Sequence, residues 1–92
     1  MKYEIRYSGQ FKKDVRLAKK QGKDVEKLFD VVALLAEGVP LAPKYRDHAL
    51  TGNYVHCREC HIEPDWLLIY EVFDDVLVLL LARVGSHSDL FK

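Results

Sequence analysis

Apolar and polar residues alternate at the start of the chain. Tyr3, Ile5 and Tyr7 fall on one side of a two-residue repeat and Lys2, Glu4 and Arg6 on the other. That predicts a short strand with one buried face. The period then lengthens: Phe11, Val15 and Ala18 follow at helical spacing, with Ser8 as an N-cap and Gly22 as a stop. Asp24 can cap a second helix whose inner stripe is Val25, Leu28, Phe29, Val32, Leu35 and Ala36, ended by Gly38 and Pro40. The two helices read as an αα-hairpin.

Residues 38–53 carry Pro40, Pro43 and Gly52 and are expected to form a loop that includes Tyr45-Arg46-Asp47-His48. Exposed loops often hold functional side chains. Three strands are expected next, over about Tyr54–Ile62, Trp66–Phe73 and Val76–Val84, with turns at Glu63-Pro64-Asp65 and Asp74-Asp75. Gly85 closes the last strand and Ser86–Lys92 is a short tail. The order β-α-α-β-β-β implies an α+β fold: one domain over residues 1–92, a mostly antiparallel sheet and the αα-hairpin on one face.

Composition adds limits. The chain has 92 residues, 49% of them hydrophobic, enough for one packed core and no more. Its start lacks an apolar leader segment, and its longest apolar run, Val76 to Ala82, is far too short to cross a bilayer. A cytoplasmic location with no membrane partner is the simple reading. Net charge is zero, yet residues 1–46 carry eleven Lys/Arg against six Asp/Glu, and residues 47–92 carry three against eight. One face can therefore be basic in a neutral chain, and phosphate binding depends on the local field. Two solvated Lys-rich helices would give the same count.

The most conspicuous local pattern is Cys57-Arg58-Glu59-Cys60-His61, which matches the attachment site for c-type haem. It is set aside: no export signal is visible, and the only methionine is Met1. On a strand, residues three apart point to opposite faces, so Cys57 and Cys60 cannot share a ligand. There is no second pair for zinc. No metal and no cofactor are expected. Of four histidines, His61 lies across a tight turn from Asp65, where a hairpin would bring the two together and a carboxylate could fix the imidazole tautomer. An ordinary surface pair would look the same. His87 and Phe91 sit in a polar tail that could supply a proton and a stacking ring, or could simply pack on the core. His56, on the predicted strand, faces away from His61 and is read as structural.

Four segments together resemble the YafQ-type branch of the RelE superfamily of toxin–antitoxin toxins. They are Tyr7-Ser8-Gly9-Gln10-Phe11-Lys12-Lys13-Asp14-Val15; Tyr45-Arg46-Asp47-His48-Ala49-Leu50-Thr51-Gly52; Arg58 through Tyr70 with its H-x-E-P-D-W core; and Arg83-Val84-Gly85-Ser86-His87-Ser88-Asp89-Leu90-Phe91. They stand in the family's order and span nearly the whole chain. The resemblance implies a RelE-like fold and a metal-independent endoribonuclease that cuts mRNA in the ribosomal A site. It also implies a cognate antitoxin that blocks the toxin in a hetero-oligomer. By motif, His87 is the candidate general acid, and His48, His61 and Asp65 form the base side in an order left open. Arg83 is a candidate phosphate clamp and Phe91 a stacking residue. Glu59 stands where a close relative would have aspartate and is only a possible participant. The rival reading is a catalytically inactive RNA- or protein-binding module on the same fold.

Overall fold

Ser8 stitches the first strand to the first helix. In a computed structural model that describes residues 1–91, its hydroxyl oxygen accepts from the Phe11 N–H at 2.9 Å and donates to the Ala82 carbonyl at 2.6 Å. It thus caps α1 (Gly9–Lys20) and ties that helix start to the sheet. The strand before it is β1 (Glu4–Tyr7). Gly22, at φ +76°, takes the left-handed turn that ends α1. Asp24 caps α2 (Val25–Ala36) by accepting from the Glu26 N–H at 3.1 Å.

Beyond α2 the chain forms β2 (His48–Ala49), β3 (Arg58–Glu63), β4 (Trp66–Phe73), β5 (Val78–Gly85) and a short α3 (His87–Leu90). The five strands make one sheet in the order β1-β5-β4-β3-β2. All neighbours are antiparallel except β1 and β5, which run parallel, with Tyr7 opposite Leu81. The α+β architecture with helices α1 and α2 on one face is as expected.

Alternation along the strands sorts the two faces. Cys60, Ile62, Trp66, Leu68, Tyr70, Leu79, Leu81 and Val84 form the main core with Phe11, Ala18, Leu28, Val31, Val32 and Ala36 of the helices. The opposite face holds a smaller cluster of Leu67, Ile69 and Leu90, rimmed by Leu50, Tyr54, Cys57 and Ala82. By the same alternation Glu59 and His61 fall on this second face, which only α3 and the 48–57 segment cover. The site is built there.

Several boundaries differ from the sequence reading. The expected loop contains β2, because Asp47 is bound to the sheet. Asp47 Oδ1 accepts from Tyr70 Oη at 2.6 Å and from Arg58 Nε at 3.2 Å. The strand expected from Tyr54 starts at Arg58, since Gly52–Tyr54 curl into a 3-10 turn and Val55-His56 continue it. His56 is therefore exposed in a turn rather than on a strand. Val76 and Leu77 are apolar but lie in the turn before β5, with Leu77 at φ +53°. The tail is a helix: Ser86 caps it, and Leu90 packs over Gly85, where an added Cβ would lie 3.2 Å from Leu90 Cδ2. Lys92, the last residue of the expected tail, lies outside the described residues.

The two cysteines pack into different clusters, Cys60 among the helix-facing residues and Cys57 against the smaller one. Burial first, then Asp47 and Glu59, pushes the Cys60 thiol up to about 12. Burial and Glu71 also raise Cys57, which is only partly covered. A thiol reagent near neutral pH should therefore label Cys57 slowly and Cys60 only on unfolding, because the thiolate is the reactive form. Mass spectrometry of native and denatured protein reads this directly; equal labelling of both in the native state would contradict the packing.

Candidate functional site

The pinning of Asp47 has a local consequence. The next residue, His48, lies opposite Glu59 in the β2–β3 register. His48 Nδ1 is 2.7 Å from the Arg46 carbonyl, which can only accept, so Nδ1 carries a hydrogen. Its other nitrogen, Nε2, is 3.0 Å from Glu59 Oε2, within ion-pair distance. Glu59 is 4% exposed. Its Oε2 also lies 3.8 Å from His61 Nε2, while Oε1 has no hydrogen-bond partner.

His61 occupies the centre. Its ring centroid is 6.4 Å from that of His48 and 5.7 Å from that of His87. His87 is the first residue of α3, and Asp65 of the β3–β4 turn holds it twice: Oδ1 accepts from the His87 backbone N–H at 3.0 Å and lies 3.0 Å from Nδ1. The backbone N–H first, and the ring second, keep the Asp65 carboxyl below the usual aspartate range. This anchor is present at and above ordinary carboxylate titration and is lost only as the pH falls through that lowered value. With Nδ1 hydrogen-bonded to a carboxylate, Nε2 is the nitrogen free to exchange a proton. Phe91, 43% exposed, has its ring 6.1 Å from His87 and edge-on to Tyr54 at 5.8 Å.

The structure thus brings His48, His61 and His87 together and rearranges their partners. The expected His61–Asp65 contact is replaced: Asp65 serves His87, and the carboxylate beside His61 is Glu59. The β3–β4 register explains this. A bulge between His61 and Glu63 shifts the pairing, and Asp65 lies in the turn facing the tail. Glu59, only a possible participant in the sequence reading, could have been placed beside His61 there, because the two are two apart on one strand and must share a face.

Arg83 has a structural partner that the sequence reading did not assign. Its Nε donates to Asp14 Oδ2 at 2.9 Å and its Nη2 to Asp14 Oδ1 at 3.2 Å. Asp14 also accepts from the Val84 N–H at 3.1 Å and from Gln10 Nε2 at 3.2 Å. Register shifts by one residue between Leu81 and Arg83, and β1 stops opposite Leu81, so α1 meets this end of β5 directly. Asp14 was legible too: it sits on the inner stripe of α1, three residues after Phe11 and four before Ala18.

Glu59, His61 and His87 each offer a ligand atom, and all three atoms lie within 4.8 Å of one another. The sequence expectation of no metal set weighed the cysteines and a scattered site with His48, His56 and His87, and of these only His87 belongs to this group.

Three imidazoles around a buried carboxylate, one of them braced by an aspartate, define a proton-transfer site on the open face of an α+β sheet. The model of the YafQ family, described as a bacterial toxin of a type II toxin–antitoxin system, matches residues 3–92. The chain belongs to that family. It is 45% identical over 89 residues to the mRNA interferase toxin YafQ of Escherichia coli K12, covering 96% of this chain and 95% of the relative. The E. coli DinJ–YafQ complex contains a chain that superposes with a TM-score of 0.90 at 44% identity, covering 98% and 99% of the two chains. A metal-bound toxin from Helicobacter pylori superposes with a TM-score of 0.91 at 46% identity, covering 97% and 99%. No helix among the described residues is long and apolar enough to cross a membrane.

Removing Arg83 would leave Asp14, 8% exposed, with a charge and no cation. Arg83→Ala should destabilise the fold by about 3 kcal/mol. Denaturant unfolding measures this; a loss below about 1 kcal/mol would mean that the pair contributes little.

Proposed function

We propose that this chain is an mRNA endoribonuclease toxin that uses the ribose 2′-OH as nucleophile, acts on the ribosome and is silenced by a cognate antitoxin. The observation that carries the reading is the convergence of His48, His61 and His87 around Glu59. Support comes from the 45% identical relative named an mRNA interferase and from the complex of a relative with DinJ.

The reaction needs one group to take the 2′ proton, one to protonate the leaving 5′ oxygen and positive charge on the phosphate. His87 is assigned the acid role. It stands at the rim, and Asp65 orients the ring through Nδ1, leaving Nε2 to deliver a proton. The base side is the Glu59–His48–His61 group. Glu59 joins it on geometry: its bare Oε1, and its Oε2 lying 3.0 Å from His48 Nε2, make it able to accept or relay a proton. Asp65 moves from the base side to positioning of the acid. Phe91 offers an exposed ring beside the acid for stacking a base. Arg83 keeps its candidate phosphate role only through the part of its guanidinium that Asp14 does not occupy.

Expression without antitoxin should stop growth, and His87→Ala should abolish that effect. In single-turnover cleavage on programmed ribosomes, His87→Ala should lower the rate constant by about 10²- to 10⁴-fold while leaving ribosome binding nearly unchanged. A wild-type rate in this variant would remove His87 from the acid role. Asp65→Ala should cost less, about 10- to 100-fold, as loss of an orienting partner does. Phe91→Ala should differ in kind, weakening substrate positioning by about 1–3 kcal/mol. An inactive module would bind ribosomes or antitoxin, cut nothing and be indifferent to all three changes.

A further inference from the structure

We infer that the same cluster is a binding site for one borderline divalent transition ion, Zn2+ or Cu2+, held by Glu59, His61 and His87, and that the bound ion silences the nuclease. The inference rests on the reading above, since it concerns how that site is regulated.

Three features carry it. The three ligand atoms all lie within 4.8 Å of one another. Tetrahedral zinc, with bonds of about 2.1 Å, needs donors about 3.4 Å apart, so small side-chain rotations close the set. Second, Glu59 Oε1 is buried and has no hydrogen-bond partner. A buried carboxylate oxygen is ordinarily satisfied, and here it belongs to one of the three residues of the cluster. Third, the donors carry the outer contacts typical of metal ligands. Asp65 holds His87 through Nδ1, which frees Nε2 as a donor, and His48 holds Glu59 through Oε2. Carboxylate–histidine–metal relays are built this way. Two imidazoles and one carboxylate suit zinc or copper rather than magnesium or calcium. The H. pylori toxin, 46% identical, was itself solved with a metal bound.

Occupancy and catalysis exclude one another. An imidazole that gives its Nε2 lone pair to an ion has no proton there to deliver to the leaving oxygen. Glu59 and His61, bound to the same ion, can no longer take a proton. Three protein ligands also leave a position open, which a phosphate oxygen of the substrate can fill unproductively.

The test uses full-length toxin stripped with chelator and then freed of it. Calorimetry with zinc alone, and metal content after dialysis, should give one ion per chain and a raised Tm. Glu59→Gln and His61→Gln should each weaken zinc at least tenfold. The His56→Gln/Cys57→Ser double variant, altered at one exposed and one partly covered donor outside the cluster, should bind zinc and cut like wild type. Toxin preloaded with zinc and dialysed free of excess should cut programmed mRNA in proportion to its metal-free fraction. Full zinc affinity in both single variants would place the ion elsewhere and overturn the site. Bound zinc with an unchanged rate would overturn the silencing and leave the nuclease reading intact. Cleavage that requires zinc would overturn the silencing and the metal-free mechanism together. Stripped toxin that never cuts, while still binding zinc at this cluster, would refute the nuclease reading and leave the site standing.

Discussion

A buried carboxylate must find partners, and Asp14 finds four. Its two oxygens take Arg83 twice, the Val84 N–H and Gln10. That saturation fixes where the end of β5 lies against α1, at the point where β1 has stopped and no strand covers that edge. Gly85 follows immediately, close enough to Leu90 for α3 to fold back over the smaller cluster, and α3 begins with His87. The position of the tail that carries His87 is thus set by a hydrogen-bonded ion pair rather than by tail residues alone. The absence of a disulfide framework makes such polar anchors matter more in a chain of this size.

Asp47 does the same work on the other side. Tyr70 and Arg58 hold it, and burial with Asp47 beside it keeps the Tyr70 hydroxyl protonated well above its ordinary range. His48 follows Asp47 as His87 follows Gly85 and Ser86. Two structural carboxylates, one fully bonded and one held through a single oxygen, therefore deliver one histidine apiece to the open face of the sheet. Glu59 is the contrast: buried like Asp14 and more so than Asp47, near two imidazoles, and left with one bare oxygen. Charge that is buried for structure is satisfied; charge that is buried and unsatisfied marks the place where protons or ligands exchange.

The sequence made the architecture legible where period and punctuation agreed. Ser8, Gly22 and Asp24 act as read, because caps and left-handed stops are local. It failed where a long-range partner overruled a local pattern. Asp47 turned a Pro- and Gly-rich loop into a strand edge through Tyr70, 23 residues away. Val76 and Leu77 looked like strand and are turn, since hydrophobicity alone does not say where pairing with β1 and β4 begins. The histidine set was legible through motif order. The carboxylate partners were not, because a hairpin bulge and the folded-back tail decide which acid meets which imidazole. Asp65 and Glu59 changed places for that reason.

The distribution of cations completes the argument. Near the site several basic side chains are already matched: Arg58 with Asp47, Arg83 with Asp14, Lys23 and Lys27 with Glu63, whereas Lys44 and Arg46, which line a pocket with His61, form no ion pair among the described residues. Lys12, Lys13, Arg16, Lys19 and Lys20 on α1 are exposed, and among the described residues none of them forms an ion pair. Much of the unpaired positive charge therefore lies on the helix layer, with Lys44 and Arg46 the unpaired cations beside the imidazoles. A polyanionic partner would meet the lysine-rich helix at longer range, where the field steers and holds but performs no chemistry. A chain of zero net charge can in this way keep much of its attraction and its proton transfer on separate faces, so that a change to one need not disturb the other.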